Sequence, residues 1–262
     1  MLSETKSRKT GKIQYCSDLH LEFQENKKFL KQFPLEPIGE ILLLAGDIQP
    51  FALHKQPCEF MDFVADNFEA VYWIPGNHEY YHFDLGTVAS PLFEKFRQNV
   101  FLINNQTITY KNINIICSTL WSHISTQNEF TVQQNVNDFH LIKMNGNKFT
   151  PAHFNHLHQT DLAFLQNAIP TSVAEKTIVM THHVPTLMNY PAQYKGSNIN
   201  QAFAVELFDF IESSNVPYWI YGHHHFNTPD FKIGNTTMLT NQLGYVQNNE
   251  HKLFKNNSII EI

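Results

Sequence analysis

Cysteine is scarce in this 262-residue chain: Cys16, Cys58 and Cys117 are odd in number, far apart and without C-x-x-C spacing. That pattern speaks against a thiolate zinc or dithiol redox site and fits a reduced, cytoplasmic setting. Long apolar runs are missing as well, since none approaches the roughly 18 residues a membrane helix needs. The polar, basic opening "MLSETKSRKTGK" lacks the apolar segment of a signal peptide. The expectation is a soluble protein with no membrane partner, whose residues 1–11 form a flexible tail. Positive charge is in deficit: 18 Lys and Arg against 24 Asp and Glu leave a formal charge of -6. Domains built to neutralise a nucleic-acid backbone are usually basic, so this balance argues against a nucleic-acid partner while leaving room for a small phosphorylated substrate. No internal repeat, low-complexity block or Pro/Gly/Ser linker divides the chain, and residues 1–262 read as one domain.

Several apolar runs are short, buried in character and end abruptly in polar chemistry. "KIQYCSDLH" (12–20), "EILLLAGD" (40–47) and "AVYWIPGNHE" (70–79) read as strands, with an amphipathic helix at 58–69 between the second and third. A further helix is expected over 85–98. The alternating segments "VFLIN", "QTITYKN" and "INIICSTLW" then suggest a second sheet joined by Asn-rich turns. Residues 122–148 read as a polar loop without period. The stretch from Thr150 has a helix N-cap, Pro151 at the first helical position and a Phe154, Leu157, Leu162, Leu165 stripe. "KTIVMTHHVP" and "VPYWIYGHHH" are again strands, separated by a helix over 201–214, and two strands flank Gly234-Asn235. Strand and helix alternation of this kind predicts an α/β chain with helices over a mixed sheet.

One arrangement recurs five times: an apolar strand stops and Asp, Asn or His follows at once. It occurs at Asp18-Leu19-His20, Gly46-Asp47, Gly76-Asn77-His78-Glu79, Thr181-His182-His183 and Gly222-His223-His224-His225. Strand ends of one sheet share an edge, so these positions can meet in space. Extended chain would turn Asp18 and His20 to one side, and likewise His223 and His225, with His224 facing elsewhere. Glycines just before the polar residues would let the backbone come close to an ion. Oxygen and nitrogen donors without thiolate suit divalent Mn, Fe, Zn or Ni, and seven candidates are too many for one tetrahedral zinc. They suit a two-metal centre with a bridging carboxylate and an activated water between the ions.

In their order, "DLH", "GD", "GNHE", "THH" and "GHHH" resemble the calcineurin-like metallophosphoesterase superfamily. Further likeness to its bacterial members lies in "TLW", "NDF" and "TNQLGY". The resemblance implies a four-layer αββα sandwich of two mixed sheets flanked by helices, with two divalent metal ions, manganese favoured, at the strand ends. By position, Asp18, His20, Asp47 and His225 would hold one ion, and Asp47, Asn77, His182 and His223 the other, with Asp47 bridging. His182 is preferred over His183 because it directly follows the strand. His78 would stabilise charge or protonate the leaving oxygen during in-line attack on phosphorus. Asn77, Tyr81, Trp121, His123 and Asp138 would line the substrate pocket.

The longer G-D-x-V-D-R-G motif of the protein Ser/Thr phosphatases is absent, since Pro50 stands where the second Asp would be, and no carboxylate partner of His78 is identified. The expected function is a metal-dependent phosphomono- or phosphodiesterase. The alternatives are an inactive interaction scaffold with the same fold and a nuclease acting on nucleic-acid ends. His153, His156 and His158 lie on a helix with its own Leu/Phe stripe and are read as solvated surface. Oligomeric state does not follow from the sequence.

Overall fold

Ile41–Ala45 is buried along its whole length, which a strand achieves only between two covering layers. Its alternate residues divide accordingly. Leu42 and Leu44 pack outward with Met61, Val64 and Trp73, whereas Ile41, Leu43 and Ala45 pack inward against Ile115, Ile178, Met180 and Ile220. The computed structural model, which describes residues 11–172 and 176–262, shows what supplies those layers. Along the chain run β1 (Lys12–Cys16), α1 (Gln24–Gln32), β2 (Ile41–Ala45), α2 (Glu59–Asn67), β3 (Ala70–Ile74), β4 (Leu92–Lys95), β5 (Val100–Asn104), β6 (Gln106–Tyr110) and β7 (Ile113–Cys117). There follow α3 (Glu129–Asn135), α4 (Asp138–Leu141), β8 (Lys143–Met144), β9 (Asn147–Lys148), α5 (Pro151–Ala168) and β10 (Lys176–Met180). The chain continues with α6 (Phe208–Ser214), β11 (Tyr218–Ile220), β12 (Phe231–Ile233), β13 (Thr236–Leu239) and β14 (Ile259–Glu261).

Two six-stranded mixed sheets result, ordered β14-β1-β2-β3-β5-β4 and β12-β13-β11-β10-β7-β6. In each, the four inner strands are parallel and the two edge strands antiparallel. The inner faces meet in one apolar cluster, the outer face of the first sheet packs with Leu30 of α1 and with Met61 and Val64 of α2, and that of the second with Leu165 of α5 and Ile211 of α6. This is the four-layer αββα sandwich. Parallel inner strands bring their C-terminal ends to one edge of each sheet, and the two edges lie side by side.

Four local expectations are corrected. No α-helix forms over 85–98: Leu85–Thr87 makes a single 3-10 turn and Leu92–Lys95 pairs antiparallel with β5. Pro91 lacks an N–H and disfavours helix at the residue before it. The "VFLIN" strand joins the first sheet beside β3, not the second. Residues 122–148 contain α3, α4 and the β8-β9 hairpin. The helix over 201–214 begins only at Phe208, because Val184 and Val205 exchange backbone hydrogen bonds with Phe203 and Val184, and Glu206 accepts from Thr186 Oγ1, Leu187 N and Phe208 N. The tail expected over 1–11 lies outside the described residues except for Gly11.

Leu43, fully buried between the sheets, tests this packing. Leu43→Ala is expected to lower stability by about 2–5 kcal/mol in chemical denaturation, the usual range for such a cavity.

Candidate metal centre

Each predicted ligand follows the C-terminal end of a parallel strand: Asp18 and His20 after β1, Asp47 after β2, Asn77 after β3, His182 after β10, and His223 and His225 after β11. The backbone there is not extended, which corrects the expected reason for their facing together. Asp18, His20, Asp47, His223 and His225 have φ of 55, 46, 55, 80 and 51°. This left-handed region is unfavourable for residues with a Cβ, by about 1–2 kcal/mol each. Alternating turns of opposite hand, rather than a pleat, bring i and i+2 to one side. Gly76 is required by close approach: a Cβ there would overlap Asp47 Oδ1 and meet His182 Nε2 at 2.5 Å. At Gly222 it would stand 2.5 Å from Asp18 Oδ2.

Donor atoms converge in two groups that share Asp47. One comprises Asp18, His20, Asp47 and His225, the other Asp47, His182 and His223, and within each the ligand atoms lie within 4.8 Å of one another. Asn77 Oδ1 is 3.3 Å from His182 Nε2. His20 Nε2 and His225 Nε2 are 2.9 Å apart, and His182 Nε2 and His223 Nδ1 3.1 Å apart.

The outer nitrogens explain why the inner ones converge. His20 Nδ1 meets Glu22 at 3.1 Å, His182 Nδ1 meets Ala45 O at 2.8 Å, His223 Nε2 meets Ala202 O at 3.3 Å, and His225 Nδ1 meets Glu250 at 2.7 Å. An acceptor on the outer nitrogen takes its N–H and turns the other nitrogen's lone pair inward. Burial alone would lower the His182 and His225 imidazoles. The carboxylate of Asp47 raises His182 to about 9, and Asp18 and Glu250 raise His225 to about 10. Burial pushes the Asp47 carboxyl up, and the imidazoles of His182 and His78 more than reverse this. The carboxylates thus draw positive charge to their inner side, where neither Lys nor Arg contributes a salt bridge among the described residues. Oxygen and imidazole donors arranged in this way fit divalent cations.

His78 stands at the edge of the cluster. Its Nδ1 is 3.0 Å from Glu22 Oε1, its Nε2 is 3.2 Å from the Tyr245 hydroxyl, and its ring stacks on Tyr81 at 4.0 Å. Glu22 is therefore the carboxylate partner that sequence reasoning missed, and one oxygen serves both His20 and His78. Its signal was present in "DLHLE", two residues beyond His20. Glu250 carried no such signal. Tyr81 donates to Asp138 Oδ1 at 2.9 Å, and Asn77 Nδ2 donates to the same oxygen at 2.8 Å.

The other predicted residues lie elsewhere. Trp121 is buried beside Phe149 and Phe154, with ring centroids 5.6 and 5.0 Å away. His123 is exposed near His158, and neither lines the cavity beside the cluster. His183 turns from Asp47 toward Ser122 and stacks on His223 at 4.1 Å. His158, read as solvated surface, is buried, and its Nδ1 lies 2.6 Å from Trp121 O. His153 is half-buried and His156 exposed.

A family model described as calcineurin-like phosphoesterase matches residues 11–227. The chain belongs to that family. It is 31% identical over 261 residues to the uncharacterized protein L509 of Acanthamoeba polyphaga mimivirus, covering 89% of this chain and 91% of that one. It is also similar in fold to the phosphopantetheinyl hydrolase of Mycobacterium tuberculosis, with a TM-score of 0.69, 16% identity and 95% of each chain covered. Among the described residues no helix is long and apolar enough to cross a membrane.

His224 separates ligand from support. It is buried, accepts from Gln242 Nε2 at 2.9 Å and stacks on Tyr190. His224→Ala is expected to lower stability by about 1–3 kcal/mol in denaturant titration and to retain metal binding, whereas His225→Ala loses it. Equal loss of metal in the two variants would contradict this placement.

Proposed function

We propose that this chain is a dinuclear metal-dependent hydrolase of small phosphoesters, a phosphomono- or phosphodiesterase, residing in a reduced, cytoplasmic compartment and working as one domain. One observation carries the reading: four imidazoles have their outer nitrogens tied to carbonyl or carboxylate oxygens and their inner nitrogens converging on Asp18 and Asp47. Asp18, His20, Asp47 and His225 would hold one divalent ion, and Asp47, Asn77, His182 and His223 the second, with manganese favoured over iron, zinc or nickel. Such ions, when bound, supply positive charge for the phosphoryl oxygens and lower the pKa of water.

The chain's own groups do the rest. Glu22 orients His78 so that Nε2 faces outward from the Glu22 contact, toward the Tyr245 hydroxyl and the cavity. From there the imidazole can give a proton to the leaving oxygen or stand beside the phosphoryl charge. Tyr81 holds the other face of that ring. The shared fold of the phosphopantetheinyl hydrolase carries no substrate with it at 16% identity. A nuclease is disfavoured because, among the described residues, those lining the cavity include neither Lys nor Arg.

The direct test is hydrolysis of p-nitrophenyl phosphate and its bis-aryl diester across a panel of Mn²⁺, Fe²⁺, Zn²⁺ and Ni²⁺, with metal content measured on the same samples. Asp47→Ala and Asn77→Ala are expected to lose more activity than the roughly 10- to 100-fold that removal of an outer partner costs. Metal-loaded protein that cleaves neither ester would refute the reading. Glu22→Gln is expected to lose about 10- to 100-fold, with the loss growing as the leaving alcohol becomes more basic, because a misdirected His78 matters most when the leaving oxygen needs a proton. A loss equal for good and poor leaving groups would show that Glu22 supports only the cluster.

A further inference from the structure

The segment "TNQLGY" after β13 brings Tyr245 against the cluster, where its ring also lines the cavity. That ring meets the His225 imidazole edge-on, with centroids 4.5 Å apart, and lies 4.7 Å from the ring of His20. Its hydroxyl is 3.2 Å from His78 Nε2.

His78 is held on its other sides as well. Glu22 Oε1 stands 3.0 Å from Nδ1, the Tyr81 ring stacks at 4.0 Å, and the His20 ring meets it edge-on at 4.4 Å. Its backbone N–H is engaged by Asp47 Oδ1 at 2.9 Å. The neighbouring rings restrain the imidazole plane, but the last torsion of a histidine is broad and roughly two-fold. A contact at Nδ1 alone therefore leaves the ring a pivot, and a second contact at Nε2 removes it.

Tyr245 is itself anchored. Its N–H donates to Glu250 Oε2 at 2.6 Å, and the same oxygen lies 2.7 Å from His225 Nδ1. Just before it, Gly244 N donates to Asp18 O at 3.0 Å, and Asn26 Nδ2 donates to Gly244 O at 2.8 Å. Both nitrogens of His78 thus lead back to the first donor group, Nδ1 through Glu22 to His20 and Nε2 through Tyr245 and Glu250 to His225.

On the hydrolase reading given above, we propose that Tyr245 is a positioning residue for His78: its hydroxyl holds Nε2 opposite the Glu22 contact and keeps the imidazole aimed at the reacting phosphoryl group. At 3.2 Å the contact is at the long end of the hydrogen-bond range, so it directs Nε2 while leaving it open to share with an arriving oxygen. The phenol forms no bond to phosphorus and stays protonated throughout.

Tyr245→Phe tests this, because it keeps the ring against His20 and His225 and deletes only the hydroxyl. In metal-free full-length protein, carbon NMR relaxation is expected to show a more mobile His78 ring in the variant than in the wild type, with the His225 ring unchanged. In Mn²⁺-loaded protein of equal metal content, kcat for ethyl phosphate is expected to fall about 3- to 10-fold with KM little changed, the worth of one hydrogen bond. The loss for p-nitrophenyl phosphate is expected to be smaller, since its leaving oxygen needs less help. In a His78→Ala background, removing the hydroxyl is expected to change kcat by less than about 2-fold, because a residue acting through His78 has nothing left to act on.

An unchanged kcat or an unchanged His78 ring in Tyr245→Phe would overturn the inference. Equal losses with and without the His78 imidazole would overturn it too, as would loss of metal from the variant, which would make the hydroxyl a support of the cluster instead. A loosened His78 ring in the variant, with no cleavage of any ester by metal-loaded wild-type protein, would leave the Tyr245 contact standing and refute the hydrolase reading.

Discussion

The carboxylate of Asp47 is fully buried at the seam between two sheets, and a buried carboxylate must find positive charge or hydrogen-bond donors close by. His78 N donates to its Oδ1 at 2.9 Å, and His182 Nε2 stands 3.4 Å from the same atom. These two contacts join the end of the third strand of the first sheet to the end of a strand in the second. Asp18 makes an equivalent connection, accepting from the backbone of His223 at 3.0 and 3.1 Å and lying 3.5 Å from His225 Nε2. The sandwich is thus closed at one edge by two anions, each gripped from both sheets. The same convergence that compensates the anions gathers the donor atoms that fit divalent ions.

Holding those atoms requires backbone that few residues adopt willingly. Five ligands with left-handed φ represent several kcal/mol of local strain, and such positions persist only where the surroundings over-determine them. Glu79 is one device that does so. Its carboxylate accepts from Asp47 N, Ile48 N, Gly76 N and Trp73 Nε1 at 2.9, 2.7, 2.6 and 3.0 Å, which ties the turns after β2 and β3 to each other and to the core. Gln242 acts similarly at the histidine run, accepting from His225 N while donating to His224 Nδ1. The final Glu of "GNHE" therefore serves the backbone of the centre rather than its open face.

The inner strands and the cluster were legible because both obey simple rules: largely apolar runs of three to five residues, and polar residues where those runs stop. Those stops picked out Asp18, Asp47, Asn77 and the histidines as candidates, and the choice among the histidines, His182 over His183 included, rested on the family resemblance. What failed was legibility of segments shaped by partners far away. Pro91 opens a strand whose pairing partner is β5, and Val205 is kept from helix by Val184. His158 looked like helix surface until Trp121 O met it from a loop 37 residues earlier. Glu250 was invisible because a partner of a histidine is recognised by distance, whereas Glu22 stood two residues beyond His20 and was passed over because its contact with His78 is made across 56 residues.

A division of labour between regular and irregular chain follows from this. The donor atoms stand on strand ends fixed by two sheets and a packed interior, so their geometry is insensitive to surface change. The cavity walls come from α3-α4 and from the loop carrying Tyr190, Tyr194 and Phe203, which lack a strong apolar period. Asp138 bridges the two regimes, standing at the start of α4 yet bonded to Asn77 and Tyr81 at the cluster. A change in these loops can alter what enters without moving Asp47, whereas a change at Asp138 is felt on both sides. A change at Asp138 is therefore coupled mechanically to the orientation of Asn77, whose side-chain amide donates to it at 2.8 Å.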